Sequence, residues 1–244
     1  MTTNLLTKSQ PINITDDFPG YPIQSFNISP HFGQYLERVL IPGGLIQDRI
    51  ERLACDVAID MGDQSFTAVC VLKGGHQFFS QLLDQIKQFY RYRYASTTTT
   101  TNNGQSAHLI DQRIGVEFIR VKSYENDSST QDIRITGIES LDALRGQNIL
   151  IVEDIIDTGK TMQSLLKLLD DYQLKSCRVI SLFVKRTPLS NGYRPDYIGF
   201  EIPNSFIVGY NMDYNERFRE LNHVCLMSET GKQQYRSLTT TTKI

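Results

Sequence analysis

Apolar positions along the chain follow two periods. Between residues 44 and 61 they recur at Leu45, Ile46, Ile50, Leu53, Ala54 and Val57, the spacing of an amphipathic helix. Residues 66–72 (FTAVCVL) form a short continuous apolar run. The run ends in Lys73-Gly74-Gly75, and a second helical pattern follows through Phe78, Phe79, Leu82, Leu83 and Ile86. Residues 116–121 and 133–135 read as two strands joined by a long polar loop. Residues 148–152 (NILIV) are apolar without alternation, the pattern of a strand covered on both faces in a parallel sheet. A helix follows from about Thr161 through Leu165, Leu166, Leu168 and Leu169, then another buried strand at 177–184 (CRVISLFV). Residues 196–200 and 206–209 predict shorter strands. Alternating strands and helices argue an open α/β fold with a mainly parallel sheet.

The remaining segments are polar. Residues 1–30 carry Pro11, Pro19, Pro22 and Pro30 and predict an extended, loosely structured lead. Residues 95–107 (ASTTTTTNNGQSA) are of low complexity, which predicts a disordered loop inserted in the domain. The Thr-rich C-terminus predicts a frayed tail.

Charge and composition narrow the functional classes. Lys+Arg 25 against Asp+Glu 27 leaves a net charge of -2 over 244 residues. That excludes attachment to nucleic acid by bulk charge and excludes a strongly acidic disordered chain. KQFYRYRY at 87–94 interleaves cations with aromatics, as single-strand binders do, but it reads better as a helix end running into the low-complexity loop. Cys55, Cys70, Cys177 and Cys225 show no C-x-x-C spacing and predict buried thiols in a reducing compartment, with no zinc site. No apolar h-region opens the chain, and no apolar run approaches the roughly 18 residues of a membrane span. A cytoplasmic protein with no membrane partner is expected.

The candidate chemistry concentrates in ILIVEDIIDTGKTM, residues 149–162. A buried strand leads into the adjacent carboxylates Glu153 and Asp154. Asp157 follows, and Thr158-Gly159-Lys160-Thr161 opens a helix. Ligands of open α/β sheets bind at the carboxyl ends of strands, and the free N–H groups of a helix N-terminus favour phosphate. Carboxylates beside a phosphate would repel it unless they bind sugar hydroxyls or act through Mg2+. A Walker A loop needs glycine where Asp154 stands, so the P-loop reading fails. A solvated acidic loop at a strand end is the plain alternative. For Lys73-Gly74-Gly75 that alternative is an ordinary strand-to-helix turn, and for Lys185 it is a surface lysine capping a strand end.

VEDIIDTGKT resembles the phosphoribosyl-diphosphate motif of the type I phosphoribosyltransferase family. VLKGGHQFF, FIRVKSYENDSST, SLFVKRTP and FIVGYNMDYNERFRELNHVC resemble the eukaryotic hypoxanthine-guanine branch of that family, and they occur in its order. The resemblance covers roughly residues 28–235, interrupted at about 89–113. It implies a twisted, mainly parallel sheet flanked by helices, with a small hood lobe over the carboxyl ends of the strands. The implied reaction joins hypoxanthine or guanine to 5-phosphoribosyl 1-diphosphate. It makes IMP or GMP and diphosphate, with Mg2+ as cofactor, in a homodimer or homotetramer.

The family's roles carry over position by position. Glu153 and Asp154 match the acidic pair at the ribose hydroxyls and Mg2+. Asp157 matches the acid/base residue at purine N7, a role that needs a raised pKa or a strong short hydrogen bond. Thr158, Gly159, Lys160 and Thr161 match the 5′-phosphate loop. Lys73 and Gly74 match the diphosphate loop, whose Lys-Gly peptide bond family members can hold cis. Ser123 and Tyr124 match a mobile flap over the diphosphate, an assignment that rests wholly on the resemblance. Lys185 matches the donor to purine O6, Phe206 the ring stacked on the purine, and Ile207 a carbonyl contact to it. Asp213 matches a residue near the 2-position and a second Mg2+, and Arg219 a diphosphate ligand. Two other classes compete: a regulator of the same fold that binds RNA, and a Mg-nucleotide hydrolase. Intact Asp157, Lys185 and Arg219 disfavour the first, and the missing Walker A glycine the second.

Overall fold

The computed structural model describes residues 8–97, 114–123 and 133–236. In chain order the elements begin with β1 (Ile12–Asn13), α1 (Pro30–Gly33), β2 (Leu36–Ile41), α2 (Gly43–Met61), β3 (Phe66–Leu72) and α3 (His76–Thr97). Then come β4 (Ile114–Ser123), β5 (Ile133–Thr136), β6 (Asn148–Ile156), α4 (Lys160–Leu169), β7 (Ser176–Lys185) and β8 (Tyr197–Ile202). The last are β9 (Ile207–Val208), β10 (Val224–Met227) and α5 (Glu229–Gln234).

The chain forms two compact units. The first holds residues 1–15 and 47–204. Its seven-stranded sheet has the order β1-β8-β7-β6-β3-β4-β5. Every neighbouring pair is parallel except β4 and β5. The unbroken apolar runs occupy the middle of the sheet, where both faces are covered. Val69 pairs with Ile151, and Ile151 with Val179, and all three are buried. Helix α4 turns Met162, Leu165 and Leu169 onto this core, the i, i+3, i+7 stripe of an amphipathic helix.

Two expectations are modified here. β6 does not stop at Val152 but continues through Glu153 and Asp154 to Ile156, so the acid pair stands on a strand. The N-terminal lead, expected to be loose, is held down over part of its length. Ile12 and Asn13 pair with Phe200 and Glu201 at the edge of the sheet. The buried Arg49 guanidinium donates to the carbonyls of Gln10, Ile198 and Gly199 at 2.8, 2.9 and 3.0 Å. A buried guanidinium needs such acceptors, and three carbonyls supply them. The segment expected to be a disordered insert lies outside the described residues beyond Thr97, where α3 ends. The expected C-terminal tail lies outside them from residue 237.

The second unit holds residues 16–46 and 205–244. It contains a three-stranded antiparallel sheet of order β2-β10-β9. Val39, Val208, Phe218 and Cys225 are fully buried in its core. Around them Phe32, Phe218, Tyr35 and Tyr235 meet as a chain of tilted and edge-on rings, the arrangement that aromatic quadrupoles favour.

Candidate active site

In the first unit the assigned residues collect around the end of β6. Asp157 leaves the strand, and Gly159 takes a left-handed conformation (φ 80) as the N-cap of α4. Glycine suits the position on two counts. It enters the left-handed region freely, and a Cβ there would collide with the side-chain oxygen of Asn191. Gln163 N–H donates to the Gly159 carbonyl at 3.0 Å and starts the helical ladder. The N–H groups at the start of α4 have no partners within the helix, so they are available to an anion. Lys160 and Thr161 are exposed there.

Glu153 and Asp154 stand side by side on β6. Asp154 is buried, and its Oδ1 accepts the Ile155 N–H at 2.7 Å. Burial, reinforced by the Asp154 carboxylate beside it, pushes Glu153 well above the usual carboxylate range; taking two adjacent acids out of water disfavours ionising both. Gly74, assigned to the diphosphate loop by resemblance, packs against Asp154, since a Cβ on it would overlap the Asp154 carboxylate. The loop follows directly on β3. Its cis peptide lies between Leu72 and Lys73, one residue before the Lys73–Gly74 bond that the family pattern suggested. Lys73 is exposed.

Asp157 is half exposed and meets Lys185, the last residue of β7, at 2.9 Å between Oδ2 and Nζ. The parallel register brings them together: Ile156 pairs with Val184, so Asp157, just past β6, and Lys185, the last residue of β7, stand at the same height. One position beside the phosphate loop thus offers a proton acceptor and a cationic donor. Asp157 pairs with this lysine rather than joining Glu153 and Asp154. Among the described residues no group of three or more His, Cys, Asp or Glu side chains is placed to hold a metal ion.

The second unit carries the other assigned residues. Ile207 is buried in β9, and Phe206 just before it is 42% exposed, with its ring edge-on to Tyr214 at 5.2 Å. The exposed face of that phenyl ring is free to stack. Arg219 meets Asp213 at 2.7 Å and donates to the Asn211 carbonyl at 2.6 Å. Its buried Nε has no hydrogen-bond partner among the described residues, a donor still unspent in a guanidinium fork. Asp213 Oδ2 accepts the Glu216 N–H at 2.7 Å. His223, expected to be structural, accepts the Gly43 N–H through Nδ1 at 2.9 Å. Ser123 ends β4, and Tyr124 lies outside the described residues.

Sequence reasoning missed the residues behind the phosphate loop. Asn191 and Tyr193 pack on Gly159, and the Asn191 N–H donates to the Thr158 carbonyl at 2.9 Å. The Asn191-Gly192 dipeptide is a turn signal, but nothing local in it points to a partner more than thirty residues upstream.

A family model, the phosphoribosyl transferase domain, matches residues 42–215. The class is therefore that of the phosphoribosyltransferases. Human hypoxanthine-guanine phosphoribosyltransferase is 53% identical over 233 residues, covering 96% of this chain and 100% of its own. The mouse enzyme of that name is 53% identical over 231 residues, covering 95% and 99%. A crystal structure of hypoxanthine-guanine phosphoribosyltransferase from Schistosoma mansoni in complex with IMP superposes with a TM-score of 0.72 at 35% identity. It covers 93% of this chain and 100% of that one. The chain belongs to the hypoxanthine-guanine phosphoribosyltransferase family.

Proposed function

We propose that this chain is a purine salvage transferase. It joins N9 of hypoxanthine or guanine to C1′ of 5-phosphoribosyl 1-diphosphate and releases diphosphate, giving IMP or GMP. The carrying observation is the Asp157–Lys185 pair at 2.9 Å beside the phosphate loop. A 6-oxopurine presents O6 and N7 on one edge. Lys185 donates to O6, a contact that a 6-amino purine cannot accept, and Asp157 handles the proton at N7 as N9 bonds to carbon.

The other roles follow the family position by position. Thr158, Gly159, Lys160 and Thr161 hold the 5′-phosphate at the start of α4, where the N–H groups have no acceptor within the helix and Lys160 N–H makes only a long contact of 3.5 Å to Thr158 Oγ1. Glu153 and Asp154 face the ribose hydroxyls and stabilise positive charge developing on the sugar. Lys73, Gly74 and Arg219 take the diphosphate, a role that the guanidinium fork of Arg219 suits. Phe206 stacks on the base, the Ile207 carbonyl contacts it, and Asp213 lies near its 2-position. Ser123 and Tyr124 close over the diphosphate and exclude water from the reactive centre.

Glu153 and Asp154 also fit Mg2+. The ion takes hard oxygen ligands and is commonly held by one or two carboxylates together with substrate oxygens rather than by a full protein cage. Two adjacent carboxylates suit that arrangement, and a cation beside them would favour the charged form of Glu153 that burial and Asp154 otherwise disfavour. When bound, the ion would neutralise charge on the diphosphate. Asp213 Oδ1 meets Arg219 and Oδ2 accepts the Glu216 N–H, so a metal role for Asp213 would share these oxygens with those partners. The subunit is expected to assemble as a homodimer or homotetramer in the cytoplasm. No helix among the described residues is long and apolar enough to cross a membrane.

The test measures IMP and GMP formation from the two bases with phosphoribosyl diphosphate, with and without Mg2+. Turnover with both bases that depends on the metal is expected. Folded protein that turns over neither base would overturn the reading.

A further inference from the structure

The loop between β7 and β8 contains one residue that grips the phosphate loop on both sides of Gly159. Asn191 N–H donates to the Thr158 carbonyl at 2.9 Å, on the N-terminal side. Asn191 Nδ2 donates to Gln163 Oε1 at 2.9 Å, in the first turn of α4 on the other side. Between these, the Asn191 side-chain oxygen occupies the space that a Cβ on Gly159 would need. The same oxygen accepts the Tyr193 N–H at 3.0 Å, which fixes the side chain to its own backbone. Gly192 turns the chain there in a left-handed conformation (φ 83), and its N–H donates to Ser190 Oγ at 3.1 Å. Asn191 is therefore held by its own turn while its backbone N–H binds the start of the phosphate loop and its side-chain amide binds Gln163 just beyond the loop's end.

We infer that Asn191 is a positioning residue for the 5′-phosphate, an assignment that rests on reading Thr158–Thr161 as the phosphate loop. It touches no substrate in this account. Its effect runs through the Thr158 carbonyl and the Gln163 amide, which set where the N–H groups following Gly159 point. A phosphate bound by several backbone N–H groups is sensitive to their mutual alignment, because each hydrogen bond weakens steeply as its angle falls. Asn191 lies six residues beyond Lys185, so one stretch of chain supplies the base-edge cation and then braces the phosphate loop.

The experiment compares two ligand readouts on the full chain carrying Asn191→Ala: the Kd of IMP by titration calorimetry, and the KM of hypoxanthine at saturating phosphoribosyl diphosphate. Because Asn191 is exposed, the expected loss is that of one ordinary hydrogen bond, near 1 kcal/mol or about fivefold in the Kd of IMP. The KM of hypoxanthine should stay within about twofold. A purely structural role would move thermal stability and both ligand constants together. Gln163→Ala removes the same side-chain bond from the other end and should show the same selectivity; it serves as the test if Asn191→Ala does not fold. A Kd of IMP within about twofold of wild type, or an equal weakening toward hypoxanthine, overturns the inference. Wild-type protein that neither binds IMP nor turns over would instead sink the underlying assignment of the phosphate loop.

Discussion

Two turn-rich segments carry many of the assigned residues, and they are built in opposite ways. In the phosphate loop of the first unit the left-handed position belongs to a glycine, Gly159. In the second unit, Tyr210, Asn211, Asn215, Glu216 and Phe218 hold φ values of 49, 71, 52, 63 and 72. Side chains in that region cost roughly 1 kcal/mol or more each, less for asparagine. Tertiary bonds hold the segment in place. Tyr210 N–H reaches the Leu221 carbonyl at 2.7 Å, Asn211 N–H the Arg219 carbonyl at 3.0 Å, and Asn215 Nδ2 the Tyr235 carbonyl at 2.5 Å. The first loop follows from its own residues. The second is imposed by its partners. Substitutions at the turn positions should therefore act in opposite directions in the two segments.

The largest effect belongs to the chemistry beside the first loop. Asp157→Asn removes the proton acceptor and its ion pair with Lys185 while leaving the loop backbone alone. Turnover should fall about a hundredfold or more, the range of a general base, while phosphoribosyl-diphosphate binding changes far less. Steady-state kinetics with a separate binding titration check this, and equal losses in both would contradict the acid/base role. Gly159→Ala comes next. The added methyl faces both a left-handed backbone and the Asn191 oxygen, so stability should drop by about 1–2 kcal/mol. Denaturant unfolding measures it, and IMP affinity should weaken with it.

In the second unit the corresponding change goes the other way. Glu216→Gly releases a left-handed side chain, a gain of up to about 1 kcal/mol. It also removes the exposed ion pair with Arg219, worth about 0.2–1 kcal/mol. With the full gain, net stability should run from about that of wild type to about 0.8 kcal/mol above it on these figures. A loss comparable to that of Gly159→Ala would erase the contrast between the two segments.

The same contrast explains what could be read from the sequence. The strands of the first sheet announced themselves because NILIV and FTAVCVL are covered on both faces, and burial leaves an unbroken apolar run. The phosphate loop was legible because strand, acids, glycine and helix start are contiguous. β2 and β10 were not recognised: LERVLI and VCLM are short, and each pairs with a partner nearly two hundred residues away. The docking of Ile12–Asn13 depends on the distant Arg49, and a polar, proline-punctuated segment gives no periodic sign of it. β6 was cut short at Val152 because Glu153 and Asp154 look like loop residues until their neighbours in β7 and the glycine loop are known. Lys185, Phe206 and Arg219 were assigned through the family pattern alone. Asn191 went unread because its role lies in contacts across the fold.

The pH dependence of stability compares the two units through their buried thiols. Cys70 on β3 and Cys225 on β10 are both fully buried, and burial pushes both thiols from 9.0 up to about 12. Burial alone acts on Cys225, whereas Glu153 and Asp154 add to it at Cys70. A group whose folded pKa is raised favours the folded state fully below its unfolded pKa, and that contribution is lost as pH rises from the unfolded toward the folded value. The window here opens near 9 and closes near 12. Between about pH 8 and pH 9.5 each thiol should cost stability a little under about 1 kcal/mol. Replacing either cysteine by alanine should flatten the pH dependence by that amount, whatever it does to stability at neutral pH. Neutralising the larger carboxylate contributor in Glu153→Gln should ease ionisation of Cys70 and leave Cys225 untouched, which thiol-specific labelling at alkaline pH can read. If both thiols respond alike, the carboxylates are not felt at Cys70, and burial alone sets the thiols of both units.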